Sequence, residues 1–262
     1  MKIGVFDSGL GGLIVAKVLI DAFPKYGFAY LGDTANLPYG NKSPEKIYDC
    51  SKECVDALFR EHDAAIVIVA CNTASIVALR RLQQEYLPGN FPDRRILGIS
   101  IPTMEYTTER GYKNVGLIAT NSTVKSGIYE SELKKLDPDI KVTARATPLL
   151  VPLIEDGGDK YAPVVLADYL PPFLKCDALI LGCSHYPRYK GLIREMLPGV
   201  DVISQDEIIP EKLREYFSRH PEIEGKLQAG ENFFGITDVT ENYIQSAEKL
   251  FGRRIAIEKA SV

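Results

Sequence analysis

The sequence predicts an α/β protein of two similar doubly wound domains, with mostly parallel sheets and an active site in the cleft between them. Three observations carry that expectation. Short β-rich runs alternate with longer helical patterns along the whole chain, the mark of parallel strands joined by helical crossovers. Ile3-Gly4-Val5-Phe6-Asp7-Ser8 aligns with Val115-Gly116-Leu117-Ile118-Ala119-Thr120 at an offset of 112 residues. The same offset relates Ala65-Ile66-Val67-Ile68-Val69-Ala70-Cys71 to Asp177-Ala178-Leu179-Ile180-Leu181-Gly182-Cys183, so two strand ends repeat together.

In chain order, strands are expected at Lys2–Phe6, Gly27–Leu31, Ala65–Val69, Ile96–Ile99, Val115–Ile118, Ile140–Thr143, Ala178–Leu181, Asp201–Ile203, Phe233–Gly235 and Ile255–Ile257. Helices fill the gaps. The first follows Gly12, with Lys17 and Asp21 as a polar stripe on a mostly apolar surface. The second follows Ser43-Pro44, where serine caps and proline occupies the first turn. Others follow Thr73, Pro102, Thr123, Asp159, Pro187, Pro210 and Asp238. The strand and helix of 233–251 are expected to return to the first domain. That gives a first domain of residues 1–99 plus 209–262 and a second of residues 100–208, inserted into it.

Composition narrows the function classes. Of the 262 residues, 45% are hydrophobic and 25% charged, which suits a globular chain with a core to bury. The net charge of -4, with Lys and Arg scattered, lacks the basic footprint of a nucleic-acid partner. The opening Met1-Lys2-Ile3-Gly4-Val5-Phe6-Asp7 meets charge too soon for a secretory apolar region, and the longest apolar run, Ala64 to Cys71, falls far short of the roughly 20 residues that span a bilayer. A cytoplasmic protein without a membrane segment is expected. Five cysteines, at 50, 54, 71, 176 and 183, are then expected to be reduced. Cys50 and Cys54 share a helix face with Ile47 and Leu58 and read as core thiols rather than a metal pair, and Cys176 reads as structural. His62 and His220, at the ends of polar helical stretches, read as solvated.

Cys71-Asn72-Thr73 and Cys183-Ser184-His185 each follow an apolar strand. In open α/β sheets ligands bind beyond the carboxyl ends of the strands, so both thiols lie where chemistry is expected. Either alone could be a small apolar residue ending a strand. As a matched pair facing one cleft they suit inversion at a carbon acid, one sulfur removing a proton while the other delivers one. A free thiol titrates near ~8.5 and is easily moved by its surroundings, so both forms are accessible. His185 could orient or assist Cys183, or be a hydrogen-bonded core histidine. Asp7-Ser8-Gly9-Leu10-Gly11-Gly12 resembles a phosphate loop but has Ile14 where the last glycine of G-x-G-x-x-G belongs. Asp7 could serve a reacting group or cap the helix, and Ser8 could hold a carboxylate. Thr120 and Thr123 could contact substrate or cap the next helix. Glu155 is ambiguous and is not taken as catalytic.

Together, Phe6-Asp7-Ser8-Gly9, Gly32-Asp33-Thr34-Ala35 with Pro38-Tyr39-Gly40, Ala70-Cys71-Asn72-Thr73-Ala74-Ser75, Leu150-Val151-Pro152-Leu153-Ile154-Glu155 and Gly182-Cys183-Ser184-His185-Tyr186-Pro187 resemble the glutamate racemases of the aspartate/glutamate racemase superfamily. The likeness covers nearly all the chain. It implies flavodoxin-like domains and interconversion of L- and D-glutamate without pyridoxal phosphate, metal or other cofactor, supplying D-glutamate for bacterial peptidoglycan. By position, Cys71 looks like the family's base for D-glutamate and Cys183 like that for L-glutamate, with Asp7 and His185 as assistants. Substrate contacts carry over to Ser8, Tyr39, Gly40, Asn72, Thr73 and Ser184, with Thr120 and Thr123 added. A homodimer is the family's common form. The chain departs from the usual pattern at Ser184 (threonine is usual), Asn36 (arginine is frequent) and Ala119 (glycine is usual).

Two other functions are compatible with parts of this pattern. Cys183 with His185 could be the nucleophile and base of an amide or ester hydrolase, which would form a thioester and have no need of Cys71. A two-domain module could close on a small molecule without reaction, which would leave the paired thiols unexplained.

Overall fold

The computed structural model describes residues 1–262 and contains ten strands: β1 Lys2–Asp7, β2 Phe28–Gly32, β3 Ala64–Val69, β4 Arg95–Gly98, β5 Asn114–Ala119, β6 Lys141–Ala146, β7 Ala178–Gly182, β8 Asp201–Ile203, β9 Phe233–Ile236 and β10 Glu258–Lys259. They form a six-stranded sheet in the order β10-β9-β2-β1-β3-β4 and a four-stranded sheet in the order β6-β5-β7-β8. Every ladder is parallel. The fold class is α/β.

The repeat in the sequence corresponds to a repeat in space. Adding the 112-residue offset to β1 gives the bounds of β5. The order β2-β1-β3-β4 recurs as β6-β5-β7-β8. The central strands β3 and β7 are buried along their length, which is why Ala64–Val69 and Ala178–Gly182 are continuous apolar runs without alternation. Edge strand β6 has no fully buried residue and carries Lys141, Thr143 and Arg145.

The helices follow local signals. In Pro44–Arg60, Ser43 Oγ accepts from Lys46 N at 3.3 Å and Pro44 opens the first turn, while Cys50 and Cys54 lie buried with Ile47 and Leu58 in an apolar cluster. In Gly12–Ala22, Lys17 and Asp21 pair at 2.6 Å on the outer face. The helix Ser100–Glu109 takes the chain from the larger sheet to the smaller, and Gln205–Arg219 brings it back. One apolar core, including Ile3, Ile68, Ile118, Leu179 and Phe217, is shared by both halves, so burial of common surface fixes how they sit together. No helix is long and apolar enough to cross a membrane.

Several expectations are corrected. Ile255–Ile257 is not a strand; the pairing begins at Glu258, opposite Gly235, because the register is set by β9 and not by the local apolar residues. Pro210 does not open a helix. It lies inside Gln205–Arg219, whose first turn carries Asp206 and Glu207, favourable at the positive end of the helix dipole. The helix expected after Thr123 is two, Asn121–Ser126 and Ile128–Leu136, broken at Gly127 with φ +64°. His62 is half-buried against Phe233, ring centroids 4.0 Å apart, and burial lowers its pKa.

Candidate active site

β1 and β3 are neighbours, with β2 on the far side of β1, so the connections leaving them diverge and open a crevice beyond their carboxyl ends. Ser8 and Cys71 stand at this crevice. The smaller sheet repeats the arrangement, with Thr120 after β5 and Cys183 after β7. The two crevices face each other as one cleft lined by Ser8, Tyr39, Cys71, Thr120, Cys183 and His185, among others. Both thiols line that single cavity, each 5% exposed. Of the twelve residues expected to be catalytic or to contact substrate, only Asp7 and Thr123 are absent from its wall. The cavity volume is about 20 Å³, room for little more than one water.

The two sulfurs have different surroundings. Cys71 precedes the helix Asn72–Val77, and its Sγ accepts from Ser8 Oγ at 3.2 Å and from Ala74 N at 3.4 Å. Burial pushes its thiol up to about 12 and the nearby Asp7 carboxylate adds to this, against the opposing effect of the two donors. Cys71 therefore holds its proton near neutral pH. Cys183 Sγ lies 3.6 Å from His185 Nδ1. Behind it, His185 Nε2 lies 2.6 Å from Glu155 Oε1, completing a buried row of thiol, imidazole and carboxylate. Burial opposes protonation of His185, but the Glu155 carboxylate and the contacts with Cys183 prevail and hold its pKa well above 6.5.

Asp7 is fully buried behind the cleft. Its Oδ2 accepts from Ser184 Oγ at 2.8 Å and its Oδ1 from Gly9 N at 3.0 Å. Burial raises its pKa, partly offset by His185 and these donors. Because Asp7 ends β1 and Ser184 follows β7, this bond joins the two repeats. The hydroxyl retained at Ser184 makes that joint. Thr73 Oγ1 lies 2.9 Å from Thr120 Oγ1 and 3.3 Å from Thr123 Oγ1, a hydroxyl cluster across the cleft, while Thr120 also caps Asn121–Ser126.

Some predicted contacts have their side chains already engaged. The Tyr39 hydroxyl donates to Asp33 Oδ2 at 2.7 Å, and Asn36 donates to Asp33 Oδ1 at 3.1 Å. The Asn72 amide is occupied by Gln205. Gly40 fits closely against Thr120, where a Cβ would come within 2.9 Å of Thr120 Cβ, and its carbonyl accepts from Ser122 Oγ at 2.7 Å.

Glu155, ambiguous in the sequence, lies against His185 in the structure. The signal was an acid closing the apolar run Val151-Pro152-Leu153-Ile154, since a carboxylate buried there needs a partner. The glycine loop also has its explanation. A Cβ at Gly11 would penetrate the His185 ring, and one at Gly9 would come within 2.7 Å of Glu155 Oε1. These glycines make room for the imidazole and carboxylate.

Residues 17–208 match the Asp/Glu/hydantoin racemase family model. A glutamate racemase from a Sulfurihydrogenibium strain is 40% identical over 219 residues, 82% of each chain. Among solved structures, glutamate racemase from Francisella tularensis in complex with D-glutamate superposes with a TM-score of 0.88 at 28% identity, covering 99% of this chain and 97% of that one. The Thermus thermophilus glutamate racemase in complex with beta-chloro-D-alanine gives 0.84 at 34% identity, with 100% and 97% coverage.

Proposed function

The chain belongs to the glutamate racemases of the Asp/Glu/hydantoin racemase family, amino-acid racemases and hence isomerases, and from that premise we propose that it inverts glutamate by proton transfer between Cys71 and Cys183. The observation that carries the mechanism is the lining of one narrow cavity by both sulfurs, one at the end of each repeat.

In the L-to-D direction, the Cys183 thiolate takes the α-proton of L-glutamate from one face, and the C–H electron pair passes into a carbanion or enolate. The Cys71 thiol gives its own proton to the opposite face, releasing D-glutamate and leaving Cys71 as thiolate and Cys183 as thiol. The D-to-L direction runs through the same states in reverse. The protonated resting state of Cys71 suits the first of these. His185, held by Glu155, exchanges charge and proton with Cys183; Asp7 is the carboxylate on the Cys71 side. Ser8, Tyr39, Gly40, Asn72, Thr73, Ser184, Thr120 and Thr123 shape the substrate site, with the Tyr39 hydroxyl also tied to Asp33 and the Asn72 amide to Gln205.

The family supports the remaining readings: no organic cofactor or metal, a supply of D-glutamate for peptidoglycan, a cytoplasmic location and a homodimer. Division into residues 1–99 plus 209–262 and residues 100–208 is supported by sheet membership, since β9 and β10 join the sheet of β1 to β4.

The test is exchange of the α-hydrogen of glutamate in deuterated buffer, with loss of optical activity and no cofactor added. Wild-type protein should do both, and Cys71→Ser and Cys183→Ser should each lose racemisation. Full racemisation by both single variants would rule out the two-thiol mechanism. A thioester trapped at Cys183 in a protein indifferent to Cys71 would point to a hydrolase instead.

A further inference from the structure

Asn72, next to Cys71, is 2% exposed, and Gln205 is fully buried. Their amides meet head to head: Asn72 Nδ2 donates to Gln205 Oε1 at 2.8 Å, and Gln205 Nε2 donates to Asn72 Oδ1 at 2.7 Å. The same Asn72 oxygen accepts from the Tyr129 hydroxyl at 2.7 Å and the Ser100 hydroxyl at 3.3 Å. These partners come from distinct places in the fold. Ser100 is the first residue of the helix leading into the smaller sheet, and Gln205 is the first residue of the helix leading back. Tyr129 lies in Ile128–Leu136, packed on the smaller sheet's side of the molecule.

Both crossovers between the sheets therefore converge on the residue beside one of the two thiols. Asn72 also begins the short helix whose Ala74 N–H reaches Cys71 Sγ at 3.4 Å. A buried amide that loses its partner leaves polar atoms unpaired at a cost, so the head-to-head pairing holds the two side chains in one relative placement. Any shift of Gln205 relative to β3 is thus passed to the turn that aims Cys71.

We infer that Gln205 is a positioning residue for proton transfer at Cys71, holding the Cys71-Asn72-Thr73 turn in register with the opposite half of the cleft through the paired amides. The inference rests on the two-thiol reading above, with Cys71 facing D-glutamate. It makes Gln205 matter to one of the two proton transfers and not to the other.

The experiment compares wild-type protein with Gln205→Leu, which keeps bulk and removes the amide, and with Tyr129→Phe, which removes a single donor to the same oxygen. Folding is checked by circular dichroism. Primary deuterium isotope effects on kcat/KM are measured separately with D-glutamate and L-glutamate deuterated at Cα. A displacement of a reacting group by about 1 Å can cost about 100-fold, and a loss of 10- to 100-fold in kcat is expected for Gln205→Leu, with less for Tyr129→Phe. The distinguishing result is a split. As the Cys71 step becomes limiting, the isotope effect should rise with D-glutamate and fall with L-glutamate. Parallel or unchanged isotope effects in a folded variant overturn the inference, as does a split of opposite sign. If Gln205→Leu does not fold, Tyr129→Phe decides by the same criterion. Cys71→Ser in the same assay separates the two levels: full racemisation without Cys71 removes the two-thiol reading and this inference with it. Its loss, together with unsplit isotope effects, removes the inference alone.

Discussion

His185 Nε2 lies 2.6 Å from Glu155 Oε1, and both side chains are buried, 2% and 6% exposed. The pair is closed off on one side by Gly9 and Gly11 of the loop after β1 and on the other by Cys183. With Nε2 held by Glu155, Nδ1 is the imidazole nitrogen that faces the Cys183 sulfur.

Replacing Glu155 with Gln should therefore lower racemisation by about 100-fold, the size of effect expected when a general acid/base loses its orienting partner. Breaking a buried pair by removing one charge costs about 3 to 5 kcal/mol, measurable by denaturant unfolding. The pH dependence has a definite sign. His185 is raised in the folded state, so its contribution is fully present below pH 6.5, its unfolded value, and is lost as pH rises through its folded pKa. The stability gap between wild type and Glu155→Gln should be widest at acid pH and narrow as pH rises. A gap that widens with pH would contradict the assignment.

Gly11→Ala tests the reason for the glycine loop. The added methyl must displace the His185 ring, so a loss of about 100-fold in racemisation is expected from a change of one carbon outside the cavity wall. If the loop were instead built for flexibility or anion binding, Gly11→Ala would retain near wild-type kcat.

Cys71 predicts an alkaline weakness. Its thiol is pushed from 9.0 to about 12 by burial and by Asp7, so the folded protein holds a proton that the unfolded chain releases. That stabilisation is intact below pH 9.0 and lost progressively from there to about 12, with a limit on the order of 4 kcal/mol. Cys71→Ala, which cannot ionise, should show a flatter fall in stability over that window. Parallel wild-type and variant curves would show that the thiol is not held protonated by the fold.

Most of the scaffold is legible in the sequence, because its signals are local. The runs at β1, β3, β5 and β7 are apolar because a central parallel strand is buried on both faces, and their bounds moved by only a residue or two. Elements at the periphery were read less well. β10 is a two-residue exposed edge whose register belongs to β9, and the helix start at Gln205 was masked by Pro210, a residue that more often begins a helix than sits inside one.

The candidate site divides the same way. Cys71, Cys183 and His185 could be found because each follows a strand end, and a strand end in an open α/β sheet is a position the sequence marks. Gln205 could not, and Glu155 only as an acid closing an apolar run, since nothing local says which partner a buried polar group will meet.

By itself, the sequence determined that two like halves would each carry a thiol at the tip of a buried strand, since hydrophobic periodicity and repeat spacing are properties of neighbouring residues. Only the tertiary structure decided that Glu155 takes His185 across 30 positions of chain, and that Gln205 takes Asn72 across 133. Those pairings follow from removal of water around polar groups brought together by packing, and that packing depends on the whole chain at once.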